Sequence, residues 1–238
     1  MSQTINTREA YEKLAKRYSA KIDVKPHNAF YDRPNTLSLL PSDLKNKHIL
    51  DAGCGPGKYA EIILNQGAQV TGVDLSKNMI AEARKRNKEK GEFLVHDLTT
   101  TLPFSDQAFD IVLCPLVLEY IYDWNPVFRE FKRVLKPGGI FVFSVTHPYF
   151  DYQYFRTNQY VETEKVSAIW RGFGEPIKIE SYRRSLMDCV TPLMNNGFTL
   201  DKLVEPLPVA EFEQHDAKHY EELMEFPAFL HLRAIKAT

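Results

Sequence analysis

A chain of 238 residues, 44% of them hydrophobic, is long enough to bury the core of one large domain. Its 30 Lys and Arg against 31 Asp and Glu leave a net charge of -1, so no overall positive field gathers nucleic acid or an anionic membrane. Three widely spaced cysteines, Cys54, Cys114 and Cys189, without a C-x-x-C pair, argue against a disulfide framework or a structural zinc site and fit a reducing, cytoplasmic setting. The first residues, Met1 to Asn6, lack the basic-then-apolar pattern of a signal peptide, and no apolar run approaches membrane-spanning length.

Thr7 is placed to cap a helix whose apolar residues Tyr11, Leu14, Ala15 and Tyr18 recur at three- and four-residue spacing. From His48 the pattern changes to short apolar strands, His48–Asp51, Gln69–Asp74, Glu92–Val95, Phe109–Cys114 and Ile140–Val145, of the kind buried in parallel sheets. Helices are expected between them over Tyr59–Gln66, Ser76–Lys90 (Ser76 as N-cap, Gly91 as C-cap) and roughly Pro126–Leu135, ahead of Pro137-Gly138-Gly139. Strand and helix in alternation imply right-handed crossovers and a doubly wound α/β sheet. The stretch from His147 to about Arg184 is rich in aromatics and weak in helical pattern, and reads as an insertion or cap. A helix near Ser185–Asn195 and late strands Phe198–Val204 and Phe229–Ile235 complete the sheet.

The segment His48 to Lys58 carries the chemistry: an apolar strand ending in Asp51, then Gly53, Gly55 and Gly57 alternating, then a helix. Dinucleotide-binding folds use a related G-x-G-x-x-G turn to seat a pyrophosphate. Here the spacing is G-x-G-x-G, and Asp51 would repel a pyrophosphate but attract the ammonium of an amino-acid moiety. S-adenosylmethionine has that ammonium and no phosphate. A turn that binds nothing needs neither three glycines nor two downstream acids. Asp74 ends the second strand about 20 residues on, where acids hydrogen-bond ribose hydroxyls. Asp97, after the third, is placed to accept from an adenine amino group, with Leu75, Met79 and Leu98 as apolar walls; a solvated strand-end acid is the alternative for Asp97, and His96 beside it reads as a strand-end polar residue at the same edge. Cys54 is a small loop residue in cofactor contact, with no neighbour to activate its thiol.

Ile49 to Gly57, Val70 to Ser76, Leu102 to Asp110 and Arg133 to Gly139 together resemble the class I methyltransferases, within them the ubiquinone/menaquinone-biosynthesis and similar small-molecule methyltransferases. The resemblance implies a Rossmann-like, seven-stranded sheet, mostly parallel with an antiparallel last strand and helices on both faces. It implies S-adenosylmethionine as cofactor, held by Asp51, Gly53, Gly55, Asp74 and Asp97, with Cys114, Pro115, Leu116 and Val117 on its methionine side. Tyr18 and the segment from Asn28 to Pro34 would close over it as N-terminal helices do in similar methyltransferases, plain core packing being the alternative for Tyr18.

Methyl transfer is a displacement at a sulfonium methyl, so positioning does most of the work and a base serves only poorly nucleophilic acceptors. Glu119 and Tyr120 after the fourth strand and His147 after the fifth are the candidates, His147 first; a histidine hydrogen-bonded in a loop is its structural alternative. His215 and His219 share an i, i+4 spacing without the acid of a zinc-protease motif and read as a solvated face, so no metal is expected. The organisation expected over 1–238 is a single domain: a helical N-terminal cap (1–45), a cofactor core (46–146), a substrate-cap insertion (147–184) and a C-terminal helix with strands (185–238). The aromatics from Tyr149 to Tyr182 point to an aromatic, quinone-like or otherwise apolar small acceptor, handled by a monomer or homodimer. A tRNA or protein acceptor would require a basic stripe, whereas Arg84 to Lys88 and Arg183-Arg184 are short and read as solvated. A non-catalytic binder of S-adenosylmethionine is the remaining alternative.

Overall fold

The computed structural model describes residues 7–88 and 90–237; Met1 to Asn6, read above for a leader pattern, together with Glu89 and Thr238, lie outside the described residues. The chain opens with α1 (Thr7–Lys21), one π-helical turn (Asn28–Asp32) and α2 (Arg33–Ser38). Thr7 is the first described residue and already belongs to the helix it was expected to cap. The alternation follows as β1 (His48–Ala52), α3 (Lys58–Asn65), β2 (Gln69–Asp74), α4 (Lys77–Asn87), β3 (Glu92–Val95), β4 (Phe109–Pro115), α5 (Asn125–Val134) and β5 (Leu135–Thr146). The aromatic stretch folds as α6 (Pro148–Phe155) and a hairpin of β6 (Glu164–Trp170) with β7 (Ile177–Arg183). Then come α7 (Leu186–Asn195), β8 (Phe198–Val204), α8 (Glu211–His215), α9 (Ala217–Glu225) and β9 (Phe229–Lys236).

The main sheet is seven-stranded in the order β3-β2-β1-β4-β5-β9-β8. β1 to β5 pair in parallel, and the last strand, β9, runs antiparallel between β5 and β8. Alternate residues of each central strand feed opposite faces. Leu50, Val112, Cys114, Phe141 and Phe143 pack with Trp124, Phe128 and Phe131, while Ile49, Ile111, Leu113 and Val142 pack with Ala60, Ile63, Ile80 and Ala83. This two-faced burial is why the strands read as unbroken apolar runs. Chain order reverses between β1 and β4, and at such a switch point open parallel sheets bind ligands beyond their carboxyl ends.

Two boundaries differ from expectation. Pro137-Gly138-Gly139 does not separate α5 from a strand beginning at Ile140: β5 begins at Leu135, and the residues between the pairs Phe109/Leu135 and Ile111/Ile140 loop out of register. Ser76 does cap α4, its Oγ accepting from Met79 N at 3.1 Å, but the helix ends at Asn87 with Lys88 in the left-handed region (φ 51). Gly91 instead lets the chain pass β2, where a Cβ would stand 2.9 Å from the Val70 carbonyl.

Gly57 caps α3 at φ 76 and faces α4, where a Cβ would meet Asn87 Nδ2 at 2.5 Å and Ala83 Cα at 3.1 Å. Its glycine serves helix packing rather than ligand contact, which corrects its expected place in the site. Gly57→Ala should destabilise the fold by about 1–3 kcal/mol through left-handed strain and overpacking, read by urea denaturation.

Candidate active site

The turn after β1 is held against the end of β2. Gly53 N and Cys54 N both donate to the Val73 carbonyl, at 2.7 and 2.9 Å. Gly53 sits at φ 80, and a Cβ there would stand 2.3 Å from Val117 Cγ2, so only glycine lets the segment after β4 lie over the turn. That segment includes Leu116 at φ 53, a left-handed conformation that costs a non-glycine residue about 1–3 kcal/mol, secured by its N–H to Ser144 O (2.9 Å).

Beneath the turn, Asp51 is fully buried and neither carboxylate oxygen has a hydrogen-bond partner. Burial, reinforced by the charge of Asp74, pushes its carboxyl up to about 7. Asp74 ends β2 and accepts from Gly55 N (2.9 Å) and Ser76 N (2.8 Å); burial outweighs these bonds and raises it to about 6. Asp97 is half-buried, with Oδ1 accepting from the N–H and hydroxyl of Thr99 at 2.9 and 2.7 Å.

A cavity of about 1080 Å³ opens from these strand ends. Of the residues expected at the site, Tyr18, Gly53, Cys54, Gly55, Asp74, Leu75, Met79, His96, Asp97, Leu98, Pro115, Leu116 and Glu119 line it. Asp51 lies below its floor, and Gly57 and His147 are not on its wall. For His147 the reason is local. Helix α6 starts at Pro148, and His147 turns back as its N-cap: Nδ1 accepts from Tyr149 N (3.2 Å) while Nε2 meets Glu205 Oε1 at 2.9 Å. The other strand-end candidate, Glu119, is 7% exposed, lines the cavity, and has Oε2 buried without a partner.

The far wall is aromatic and only partly legible beforehand. Tyr11 and Tyr120 share a hydroxyl–hydroxyl bond of 2.8 Å, Trp170 meets Tyr11 edge-on at 6.2 Å, and Tyr18 stacks on Phe173 at 4.8 Å. The i, i+7 spacing of Tyr11 and Tyr18 on α1 was their one sequence signal. A side wall comes from Asp32, buried and bonded to Ser144 Oγ and Tyr59 OH, each at 2.6 Å, with His231 Nε2 at 3.2 Å. Burial alone would raise the Asp32 carboxyl; His231 and the hydroxyls together hold it below the usual range. Beside it Arg33, 6% exposed, lines the cavity with its Nε unpartnered.

Other expectations are corrected here. Arg183 and Arg184 are not solvated: the first is buried against Glu164 and the carbonyls of Gln159, Tyr160 and Glu162, the second stacks 4.0 Å over Trp124. His215 and His219 are exposed, as expected, yet His215 stacks on Phe30 at 4.6 Å and His219 pairs with Asp216 at 2.7 Å and reaches the cavity wall.

Residues 50–143 match the family model of a methyltransferase domain. Over 231 residues the chain is 27% identical to an uncharacterized protein of Haemophilus influenzae, spanning 88% of each chain. It is 32% identical over 150 residues to a ubiquinone biosynthesis O-methyltransferase of Pasteurella multocida, 57% of this chain and about three fifths (62%) of that relative's length. The crystal structure of an S-adenosylmethionine dependent methyltransferase from Mesorhizobium loti matches with a TM-score of 0.69 at 25% identity, over 90% of this chain and 99% of that one. With the sheet order and the strand-end cavity, these likenesses define a class I S-adenosylmethionine-dependent methyltransferase. Within that class the chain is similar to ubiquinone-biosynthesis enzymes over little more than half of its length, and S-adenosylmethionine is its cofactor.

The site suits a cationic ligand, because the unpartnered Asp51 carboxylate under the turn is stable in ionised form only beside positive charge. Its folded value lies above the ordinary 3.8, so its contribution to stability is present below about pH 4 and lost as pH rises through about 7. Asp51→Asn should therefore stabilise the ligand-free protein above pH 7 by about 1–3 kcal/mol in thermal denaturation, while weakening S-adenosylmethionine binding in calorimetry.

Proposed function

We propose that this methyltransferase acts on a small, aromatic or partly apolar acceptor, and that Glu119 takes up the proton the acceptor sheds. The observation that carries the proposal is the juxtaposition, in one cavity, of the strand-end acids with an aromatic wall beside which Glu119 places a buried carboxyl with one unpartnered oxygen. When bound, S-adenosylmethionine supplies an electrophilic methyl on a sulfonium; the protein's part is to orient both partners and manage one proton.

On this proposal Asp74 hydrogen-bonds the ribose hydroxyls, and Asp97 the adenine amino group between Leu75, Met79 and Leu98, with His96 at the edge. The backbone of Gly53, Cys54 and Gly55 follows the methionine moiety, Asp51 supplies the counter-charge to its ammonium, and Arg33 pairs with its carboxylate. Pro115, Leu116 and Tyr18 enclose the sulfonium. Tyr154, Ile169, Trp170 and Phe173 of the stretch 147–184 line the cavity, which supports a substrate-cap role for that segment. The burial of Arg183 and Arg184 supports a small acceptor over a tRNA, since it removes the one basic pair adjoining the aromatic segment from solvent.

The cofactor half is tested by calorimetry with S-adenosylmethionine and S-adenosylhomocysteine, NADH serving as rival ligand. Asp74→Ala should weaken binding by at least about tenfold, the worth of one hydrogen bond to a charged group. Binding unchanged in that variant would overturn the ribose assignment.

The acceptor half is read from pH profiles in a screen of phenolic, quinol and aliphatic acceptors. Burial raises the Glu119 carboxyl to about 8, and it accepts a proton only when ionised. Turnover should climb as pH rises toward 8, with the inflection at or below that value because a bound sulfonium favours the carboxylate. Glu119→Gln should lower the rate about 10²–10⁴-fold and flatten the profile. His147→Ala should keep the rate and cost about 1 kcal/mol of stability, the worth of a helix cap. A rate that follows His147 and ignores Glu119 would reverse the assignment, and tight cofactor binding with no acceptor methylated would favour a non-catalytic binder.

A further inference from the structure

A second cavity, of about 10 Å³, adjoins Glu119 and is lined by the polar residues Glu119, Thr146, Asp151, Tyr182 and Arg184 against Trp124, Val145 and Cys189. This is close to the least volume that holds one water molecule, and such a water requires two to four polar partners. The partners are there. Glu119 Oε2 and Arg184 Nε are both buried without a hydrogen bond. Asp151 is 6% exposed, and its Oδ2 accepts from Thr146 Oγ1 at 2.7 Å.

The groups are rigidly carried. Asp151 stands in α6 with its N–H on the His147 carbonyl at 3.0 Å, and the Arg184 guanidinium is pinned by the Ile121 carbonyl (2.7 Å) and the Trp124 ring. The residues that carry two orphaned polar atoms and a second buried carboxyl thus line one space the size of a water. Unsatisfied buried groups are costly, and a bridging water relieves several at once.

We propose that this cavity is an ordered-water site joining Glu119 to Asp151, and that Asp151 is a positioning residue which shares the Glu119 proton through that water. The proposal rests on Glu119 being the proton acceptor. Two carboxyls in one buried site do not both ionise freely, so the pair retains one proton. Glu119 faces Asp151 and Asp32, which raise it, and Arg184, which lowers it, with the Tyr11, Tyr18 and Tyr120 phenols close by. Asp151 faces the Thr146 hydroxyl and the Arg183 charge, both lowering it. Burial raises both carboxyls, but Thr146 and Arg183 ease the charge on Asp151 while Asp32 adds like charge at Glu119, so the shared proton rests on Glu119.

Transfer of that proton through the water to Asp151 leaves Glu119 as a carboxylate facing the main cavity. As the acceptor's lone pair forms its bond to the methyl carbon, the carbon–sulfur pair returns to sulfur and the acceptor's proton passes to Glu119. Asp151 then releases its proton to solvent, restoring the starting state.

A high-resolution crystal structure of the wild-type protein should show one water within hydrogen-bond distance of Glu119 and Asp151. Infrared difference titration of the S-adenosylhomocysteine-bound protein should show a carboxyl band that vanishes in Glu119→Gln. In Asp151→Asn, which removes the like charge while keeping the shape, that band should titrate about one pH unit lower. A dry cavity, or a Glu119 band unmoved by Asp151→Asn, would overturn the shared proton even where Glu119→Gln abolishes turnover. Wild-type turnover in Glu119→Gln would instead overturn the proton-acceptor assignment itself, and the relay with it.

Discussion

The carbonyl of Val73 accepts from two N–H groups, those of Gly53 and Cys54, and this pair of hydrogen bonds pins the turn after β1 to the end of β2. Every other part of the site is referred to that pin. It brings Gly55 N onto Asp74, makes room for Val117 where a Gly53 side chain would stand, and seals Asp51 beneath the backbone. The seal has an energetic consequence. Burial beneath the backbone raises the Asp51 carboxyl to about 7, and nearby positive charge would favour its ionised form.

The two halves of the cavity are built on different terms. The strand-end half is backbone: hydrogen-bonded turns at the switch point of a parallel sheet, backed by apolar layers on both faces. The opposite half is side chain, supplied by α1, the turn at Leu118–Tyr120 and the β6–β7 hairpin, whose Ala10, Leu14, Phe173 and Ile179 form a small core of their own. Asp32 ties the segment that precedes the sheet to it, bonding Ser144 of β5 and Tyr59 of α3. A rigid cofactor floor beneath a separately packed aromatic wall allows one fold to meet different acceptors by changing the wall alone.

Much of the floor was legible before any coordinates. The strands Gln69–Asp74, Glu92–Val95 and Phe198–Val204 fall where the apolar runs stand, and Ser76 caps the helix it precedes. The β6–β7 hairpin was not legible, although β6 alternates between half-buried and exposed residues, because its pairing partner lies across a turn whose glycines carry no hairpin signature. Arg183-Arg184 read as a solvated pair because adjacent charges usually are; their carbonyl and ring partners come from distant segments.

What the sequence by itself determined is whatever depends on neighbours along the chain. The alternating strands and helices, the G-x-G-x-G turn and the acids at the ends of β1 and β2 follow from spacing, because backbone conformation and strand-end position are local properties. Only the tertiary structure decided which strand-end side chain faces the cavity. On paper His147 ranks ahead of Glu119. In space, α6 claims the His147 ring for its first turn and Glu205 holds its far nitrogen, while the turn after β4 leaves Glu119 buried at the cavity with one oxygen unpartnered. Side-chain direction and burial are set by groups far apart in the chain, and no spacing rule encodes them.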